Sequence, residues 1–385
     1  MNRLFHLLIV LSGLMLSISL FNTYEDIRNQ DGDSDTTGTD PVVEEPYEIL
    51  KPENIVPKKD RLFGVTISES QAGFDSAFVL AQQAGVQVAE LNLPWDIIEE
   101  DRGQYVDPSG WLAATEYYGA AGIQVMLSIA VINTVKRTAP AYLSAYDYDD
   151  PEFITAFENM MDWLMTHIPQ NVTILGVSIG NEVDLFLEGD SWDSYTTFYR
   201  EVVGYLKNKY SLPKYGVKTT IMSGVLGNER SDIQILNQYT DVVMLNYYPQ
   251  NDSFRVFEPE MVHQHLVEVV GVFRGKKIWL TEVGYQSGSK YCGSSKTMQG
   301  HFYHELFKAW DTFNQNISYI QINWLHDQPQ EQIEEWKKYY SSSDPAFIEF
   351  LSTLGLRNYN NTDKPAWLQL LEETKIRGWK LDTGK

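Results

Sequence analysis

The chain has 385 residues, 43% of them hydrophobic, and 52 acidic against 30 basic side chains leave a net charge of −22. That is enough apolar material for one large core or two modest ones, and so negative a chain is a poor partner for nucleic acid or an anionic membrane surface. A single cysteine, Cys292, excludes an intrachain disulfide, and with neither a cysteine pair nor a His-Glu-x-x-His spacing no metal is expected.

In chain order, the first element is a targeting segment. Asn2 and Arg3 precede an apolar run over residues 4–21, with small residues at Ser17 and Ser19 spaced for cleavage. A signal anchor is the alternative, since the run sits near the lower length limit for a membrane span. Either way the remainder is expected to be exported, secreted or associated with the cell envelope. Residues 22–59 are rich in Asp, Glu, Thr and Pro without a periodic apolar face, which predicts an acidic disordered linker. The folded domain is then expected over residues 60–379.

Short apolar runs follow at residues 62–67, 86–93, 124–129, 173–179, 219–223, 241–245, 277–281 and 319–323. They alternate with amphipathic stretches of helical period, a pattern that predicts parallel strands covered by helices. Eight such units in about 300 residues fit a single (β/α)8 TIM barrel of the α/β class. An open doubly wound sheet is disfavoured because no Gly-rich phosphate fingerprint follows an early strand. Two tail helices, residues 346–354 and 366–373, are expected to close the barrel base.

Chemistry in such a barrel sits at the carboxyl ends of the strands. The fourth strand ends Gly180-Asn181-Glu182, and the seventh ends Thr281-Glu282. The sixth ends Asn246-Tyr247-Tyr248 and the eighth Asn323-Trp324, while the second carries Glu90, Asn92 and Trp95. Two carboxylates three units apart in an eight-unit ring face each other across the mouth. Acetal hydrolysis needs that pair, one to protonate the leaving oxygen and one to meet the oxocarbenium-like carbon. No organic cofactor is implied, because two carboxylates suffice. Trp95, Trp192, Tyr195, Tyr247, Tyr285 and Trp324 follow strands, and some are expected to stack on sugar faces. A cleft shaped by the long loops after strands four and seven suggests endo action.

These strand ends resemble those of the clan A glycoside hydrolases, retaining (β/α)8 enzymes. The resemblance implies Glu182 as acid/base, Asn181 as partner of the sugar 2-hydroxyl and Glu282 as nucleophile. It further implies Tyr248 as a hydrogen-bond partner of the nucleophile and Trp324 as a floor of the −1 subsite. "PWDIIEEDRGQY", from Pro94 to Tyr105, is similar to the clan's segment after strand two. One departure concerns charge. Many clan members carry an arginine on strand two that contacts the nucleophile, and the matching position here is Glu90, leaving Tyr248 or Asn246 to support Glu282. Glu90 is either a third carboxylate in the mouth or, one register off, a residue facing the helices that needs a basic partner. Strand three ends "SIAVINT" and lacks the His-Asn of many family 5 members. "LNYYP" with "GNE" is similar to family 53 galactanases and family 17 β-1,3-glucanases, so β-galactan, β-1,3-glucan and β-mannan are all candidate substrates. A monomer acting on a β-linked glycan is expected. A transglycosylase of the same fold and a non-catalytic surface glycan-binding barrel are the alternatives.

Overall fold

The computed structural model describes residues 47–379. The targeting segment therefore lies outside the described residues. Among those described, no helix is long and apolar enough to cross a membrane.

Parallel strands form a ring. They are β1 (Leu62–Val65), β2 (Val88–Pro94), β3 (Gln124–Asn133), β4 (Ile174–Asn181), β5 (Lys214–Gly216 and Lys218–Thr220), β6 (Val243–Tyr247), β7 (Ile278–Val283) and β8 (Ile317–Ile322). β8 pairs with β1, so the sheet runs continuously from β4 through β1 to β6. Strand β5 completes the circuit in two halves. Its first half pairs with β4 and its second with β6, across Val217. Strand five thus begins earlier than its sequence pattern predicts. The expected segment 219–223 turns helical at Ile221, where the Thr220 hydroxyl accepts the amide of Gly224 at 2.9 Å.

Alternation along each strand sorts the side chains into two layers. Outward residues such as Ala89 and Leu93 join the large core beneath the helices. Inward residues Val88, Met126, Met244, Trp279 and Tyr319 plug the lower barrel. Gly176 permits that plug, since a Cβ there would lie 2.5 Å from the Trp279 ring. Above the plug the inward positions turn polar: Glu90 and Asn92 on β2, Ser128 on β3 and Lys218 on β5.

Two of the outer helices begin at side-chain caps. Asp150 accepts the amide of Glu152 at 2.8 Å ahead of Pro151, and Ser295 accepts that of Met298 at 3.0 Å. The last helix, Pro365–Arg377, packs on the helix Lys296–Thr312, where Arg377 and Arg61 share Asp311. Two further helices, Gln330–Tyr339 and Pro345–Ser352, follow β8. They do not close the base, where the second was expected. They arch over the mouth, with the Tyr339 hydroxyl donating to the Asn133 carbonyl at 2.9 Å. The first of them was not foreseen.

The expected linker also ends earlier than residue 59. Tyr47 donates to the Gln369 side chain at 2.9 Å, the Leu50 amide donates to the same oxygen at 2.9 Å, and the Val56 amide donates to Asp311 at 3.3 Å. Residues 47–59 are therefore part of the folded unit.

Candidate active site

The strand ends surround a cavity of about 400 Å³ at the carboxyl face of the barrel. Asn181, Glu182, Tyr248, Glu282 and Trp324 all line it. Asn246 and Glu90, expected to touch substrate, lie just beneath it.

Glu182 stands where β4 ends, after a backbone that only a few residue types adopt. Gly180 has φ +97°, and a Cβ there would lie 2.5 Å from the Tyr195 hydroxyl, so the position requires glycine. Glu182 itself is left-handed at φ 50°, as is Thr134 at φ 53°. For non-glycine residues such geometry costs about 1–3 kcal/mol each and collects at functional sites. Here the two residues meet. Thr134 donates to Glu182 Oε2 at 2.9 Å, and Asn246 donates to Oε1 at 3.2 Å. The Thr281 hydroxyl donates to Asn246 Oδ1 at 3.0 Å, which fixes the amide with its NH2 toward Glu182. The same NH2 reaches Asn181 Oδ1 at 3.2 Å, and Asn181 in turn donates to Asn133 at 3.0 Å. Burial and then the nearby charge of Glu282 push the Glu182 carboxyl up to about 7, with the Asn246 and Thr134 hydrogen bonds opposing.

Glu282 meets different surroundings. Its Oε2 accepts from the Tyr248 hydroxyl at 2.7 Å and from Asn323 at 3.0 Å. Its Oε1 lies 3.1 Å from Lys218 Nζ. Burial and the two carboxylates Glu282 and Glu182 keep the Tyr248 phenol far above its ordinary range, so it remains a donor. Gly284 lets the ring come close, since a Cβ there would lie 2.5 Å from it.

Lys218 answers the question of the missing arginine. It reaches Glu282 from β5, and it also pairs with Glu90. Lys218 is 0% exposed, Glu90 5% and Glu282 15%. Glu90 therefore points into the barrel, with a basic partner. Its carboxyl is raised by burial, although Lys218 opposes. Burial disfavours charge on Lys218 too, but Glu90 and Glu282 outweigh it and hold its ammonium above the ordinary range. The signal in the sequence was a lone lysine inside the apolar-flanked run "YGVKTT".

Several expected sugar platforms are core residues instead. Trp95 is fully buried on the outer face, edge-on to Phe153 and Phe157, with its indole N–H donating to Glu99 at 2.9 Å. Tyr195 donates to the Ile179 carbonyl at 2.7 Å, Tyr247 bonds His265 at 2.8 Å and Tyr285 donates to the Phe257 carbonyl at 2.8 Å. Trp192 is 5% exposed. Of that set only Trp324 lines the cavity, tilted 33° against Trp336 at 5.0 Å. The remaining aromatic wall comes from elements without a strand-end signal. Tyr340, Phe347 and Phe350 belong to the arch, and Phe254 comes from the loop after β6. Phe254 and Phe350 stack at 5.6 Å, and Phe350 stands edge-on to Tyr248. Asn133 and Thr134, at the end of strand three, also line the cavity. "INT" thus supplies polar groups where "His-Asn" was missed. Among the described residues no group of His, Cys, Asp and Glu is disposed to hold a metal ion.

No protein-family model matches the sequence, and no curated protein matches it. Solved structures do. The exo-β-1,4-mannosidase Op5Man5 from Opitutaceae bacterium strain TAV5 superposes with TM-score 0.63 at 15% identity, over 82% of this chain and 59% of that one. A GH5_18 variant from Streptomyces cattleya, in complex with Manβ1-4GlcNAc, gives 0.62 at 14% identity, over 84% and 82%. Xylanase 10B from Thermotoga maritima gives 0.60 at 13%, over 83% and 96%. The fold is the (β/α)8 barrel that these glycoside hydrolases share. The chain spans under two thirds of the mannosidase, and at these identities the likeness concerns the barrel and not its specificity.

Proposed function

We propose that the protein is a retaining glycoside hydrolase that cleaves a β-glycosidic bond by double displacement. One observation carries this: Glu182 and Glu282, from opposite sides of the ring, face one cavity in contrasting environments. Glu182, with its carboxyl raised to about 7, holds a proton for the leaving oxygen. Glu282, with a cation and two neutral donors on its oxygens, is set to attack the anomeric carbon. In the second half-reaction Glu182 takes a proton from water as that water displaces Glu282. Asn181 presents polar atoms to the cavity beside Glu182, which supports its role toward the 2-hydroxyl. Trp324 offers a ring face for stacking on the sugar.

The cavity is within the size range of small-molecule pockets, about 300–1,000 Å³, and the arch after β8 walls one side. That favours an oligosaccharide or a chain end over the interior of a long polymer. The ligand of the Streptomyces structure and the activity of Op5Man5 make β-mannosides the first substrates to try, ahead of β-galactan and β-1,3-glucan. Export directed by the N-terminal segment is part of the same proposal, and it would bring the enzyme to glycans outside the cell.

The test is a screen of β-linked oligosaccharides, polysaccharides and aryl glycosides, with product sizing and the anomeric form of the first product read by NMR. Retention is expected. Wild type and Glu282→Ala equally inert on every substrate, while both bind glycan, would support a binding barrel instead. Glycosyl transfer dominating at ordinary acceptor concentrations would support the transglycosylase.

A further inference from the structure

The hydrolase needs Glu182 and Glu282, with Lys218 as the cation beside Glu282, but Glu90, the other partner of that lysine, has no role in it so far. Lys218 is wholly enclosed and touches both Glu90 and Glu282. Glu90 has one ion-pair partner among the described residues, Lys218, and its other oxygen is buried without a hydrogen-bond partner there. Neither residue lines the cavity. An isolated buried ion is costly, so one enclosed ammonium against two carboxylates is an arrangement that calls for a reason.

The reason lies in how charge moves through the reaction, and it rests on the hydrolase proposal. In the first half-reaction a Glu282 oxygen bonds to the anomeric carbon while the bond from that carbon to the leaving oxygen breaks. The leaving oxygen takes the proton of Glu182. Glu282 passes from anion to neutral ester, and Glu182 from acid to anion. The new negative charge thus arises on Glu182, whose hydrogen bonds run to Thr134 and Asn246 and not to Lys218. Around Lys218 the two carboxylates fall to one. Water then bonds to the anomeric carbon, the ester bond breaks, Glu182 takes the water proton and Glu282 is an anion again.

We infer that Glu90 and Lys218 are positioning residues for the nucleophile, with Glu90 serving as the counter-charge that keeps Lys218 paired while Glu282 is esterified. Lys218 can then orient and neutralise Glu282 in the free enzyme without becoming a lone buried cation in the intermediate. Removing the charge of Glu90 strands Lys218 only in the glycosyl-enzyme. The intermediate is raised relative to the free enzyme, so it forms more slowly and breaks down faster. A residue that merely supports the fold has no means of driving the two half-reactions in opposite directions.

The experiment uses the 2-deoxy-2-fluoroglycosyl fluoride of the sugar that the hydrolysis screen identifies. Intact mass follows labelling of Glu282, and recovery of activity after removing excess reagent follows turnover of the label. Relative to wild type, Glu90→Gln is expected to label about threefold more slowly and reactivate about threefold faster, one unit of ionisation balance at a neighbouring charge shared between the two steps. Glu90→Asp, which keeps the charge at a longer reach, is expected to show both shifts at smaller size, and it secures the test if Glu90→Gln folds poorly. Both rates changing in the same direction, or neither changing, would overturn the inference while leaving the hydrolase standing. Failure of wild type to label would overturn the retaining mechanism itself.

Discussion

Replacing the proposed acid/base by its neutral isostere, Glu182→Gln, links catalysis to stability in one variant. The Glu182 carboxyl is raised from about 4.5 in the unfolded chain to about 7 in the fold. Between those values the folded state holds a proton that the unfolded state has released, so stability falls as pH rises through the window. Above about 7 the folded state carries the full penalty, and below about 4.5 it carries none. The full shift corresponds to about 3 kcal/mol. Glu182 is only partly buried at the cavity wall, so screening reduces the expected effect to about 1–2 kcal/mol. Glutamine does not titrate, and its amide can accept from Asn246 and donate to Thr134. Glu182→Gln is therefore expected to gain about 1–2 kcal/mol on wild type between pH 5 and pH 8.5, measured by urea denaturation at both values. The same protonation should give wild-type kcat/KM a basic limb near pH 7, and the variant should lack it along with most turnover on substrates with poor leaving groups. A stability difference unchanged between the two pH values would refute the electrostatic reasoning.

Glu282→Gln should lower kcat by about 10⁴-fold or more with the melting temperature preserved, and an unchanged rate would remove it as nucleophile. Lys218→Met leaves Glu90 and Glu282 without their cation and should cost about 3–5 kcal/mol in urea denaturation at pH 8. Phe254→Ala removes one member of the stacked wall and should raise KM about threefold to tenfold with kcat retained. A kcat effect instead would mean that the wall shapes the reacting sugar. Truncation before Asp60, compared with truncation before Tyr47, should lose about 2–3 kcal/mol, because it deletes the hydrogen bonds to Gln369 and Asp311. Equal thermal melts would return residues 47–59 to the linker.

The barrel was legible because its strands are near-continuous apolar runs, and such runs announce strands buried on both faces. The strand ends were legible for the same reason: Asn181-Glu182 and Glu282 interrupt those runs where a barrel opens. Strand five was misplaced because its pattern is weak. It is two short pieces around Val217, and the β-branched residues that follow it enter a helical turn. The aromatic wall was missed for a different reason. Proximity to a strand end in sequence does not say which way a side chain points, and Trp95 and Tyr195 are buried in the core between the sheet and the helices. Phe347 and Phe350 come instead from an excursion after β8, whose amphipathic helices look in sequence like any outer-layer helix.

The strand-two position illustrates how far a resemblance can be carried. The clan pattern expects an arginine there, and Glu90 reverses the sign of that charge. On the proposed mechanism a cation within hydrogen-bond reach of Glu282 supports the nucleophile, and a closed ring of strands allows another inward position to deliver it. Lys218 does so from β5, at 3.1 Å. Once the cation comes from a buried lysine, a second carboxylate becomes an asset, because it bears the pairing whenever Glu282 does not. Glu90 on strand two pairs in register with Met126 on β3, at the upper edge of the apolar plug, and so meets Lys218 in the barrel interior. Glu90 and Lys218 thus form one buried unit where the resemblance expects an arginine. Restoring the arginine alone, as Glu90→Arg, would set two buried cations against one carboxylate, and it should abolish folding or activity unless Lys218 is made neutral in the same chain.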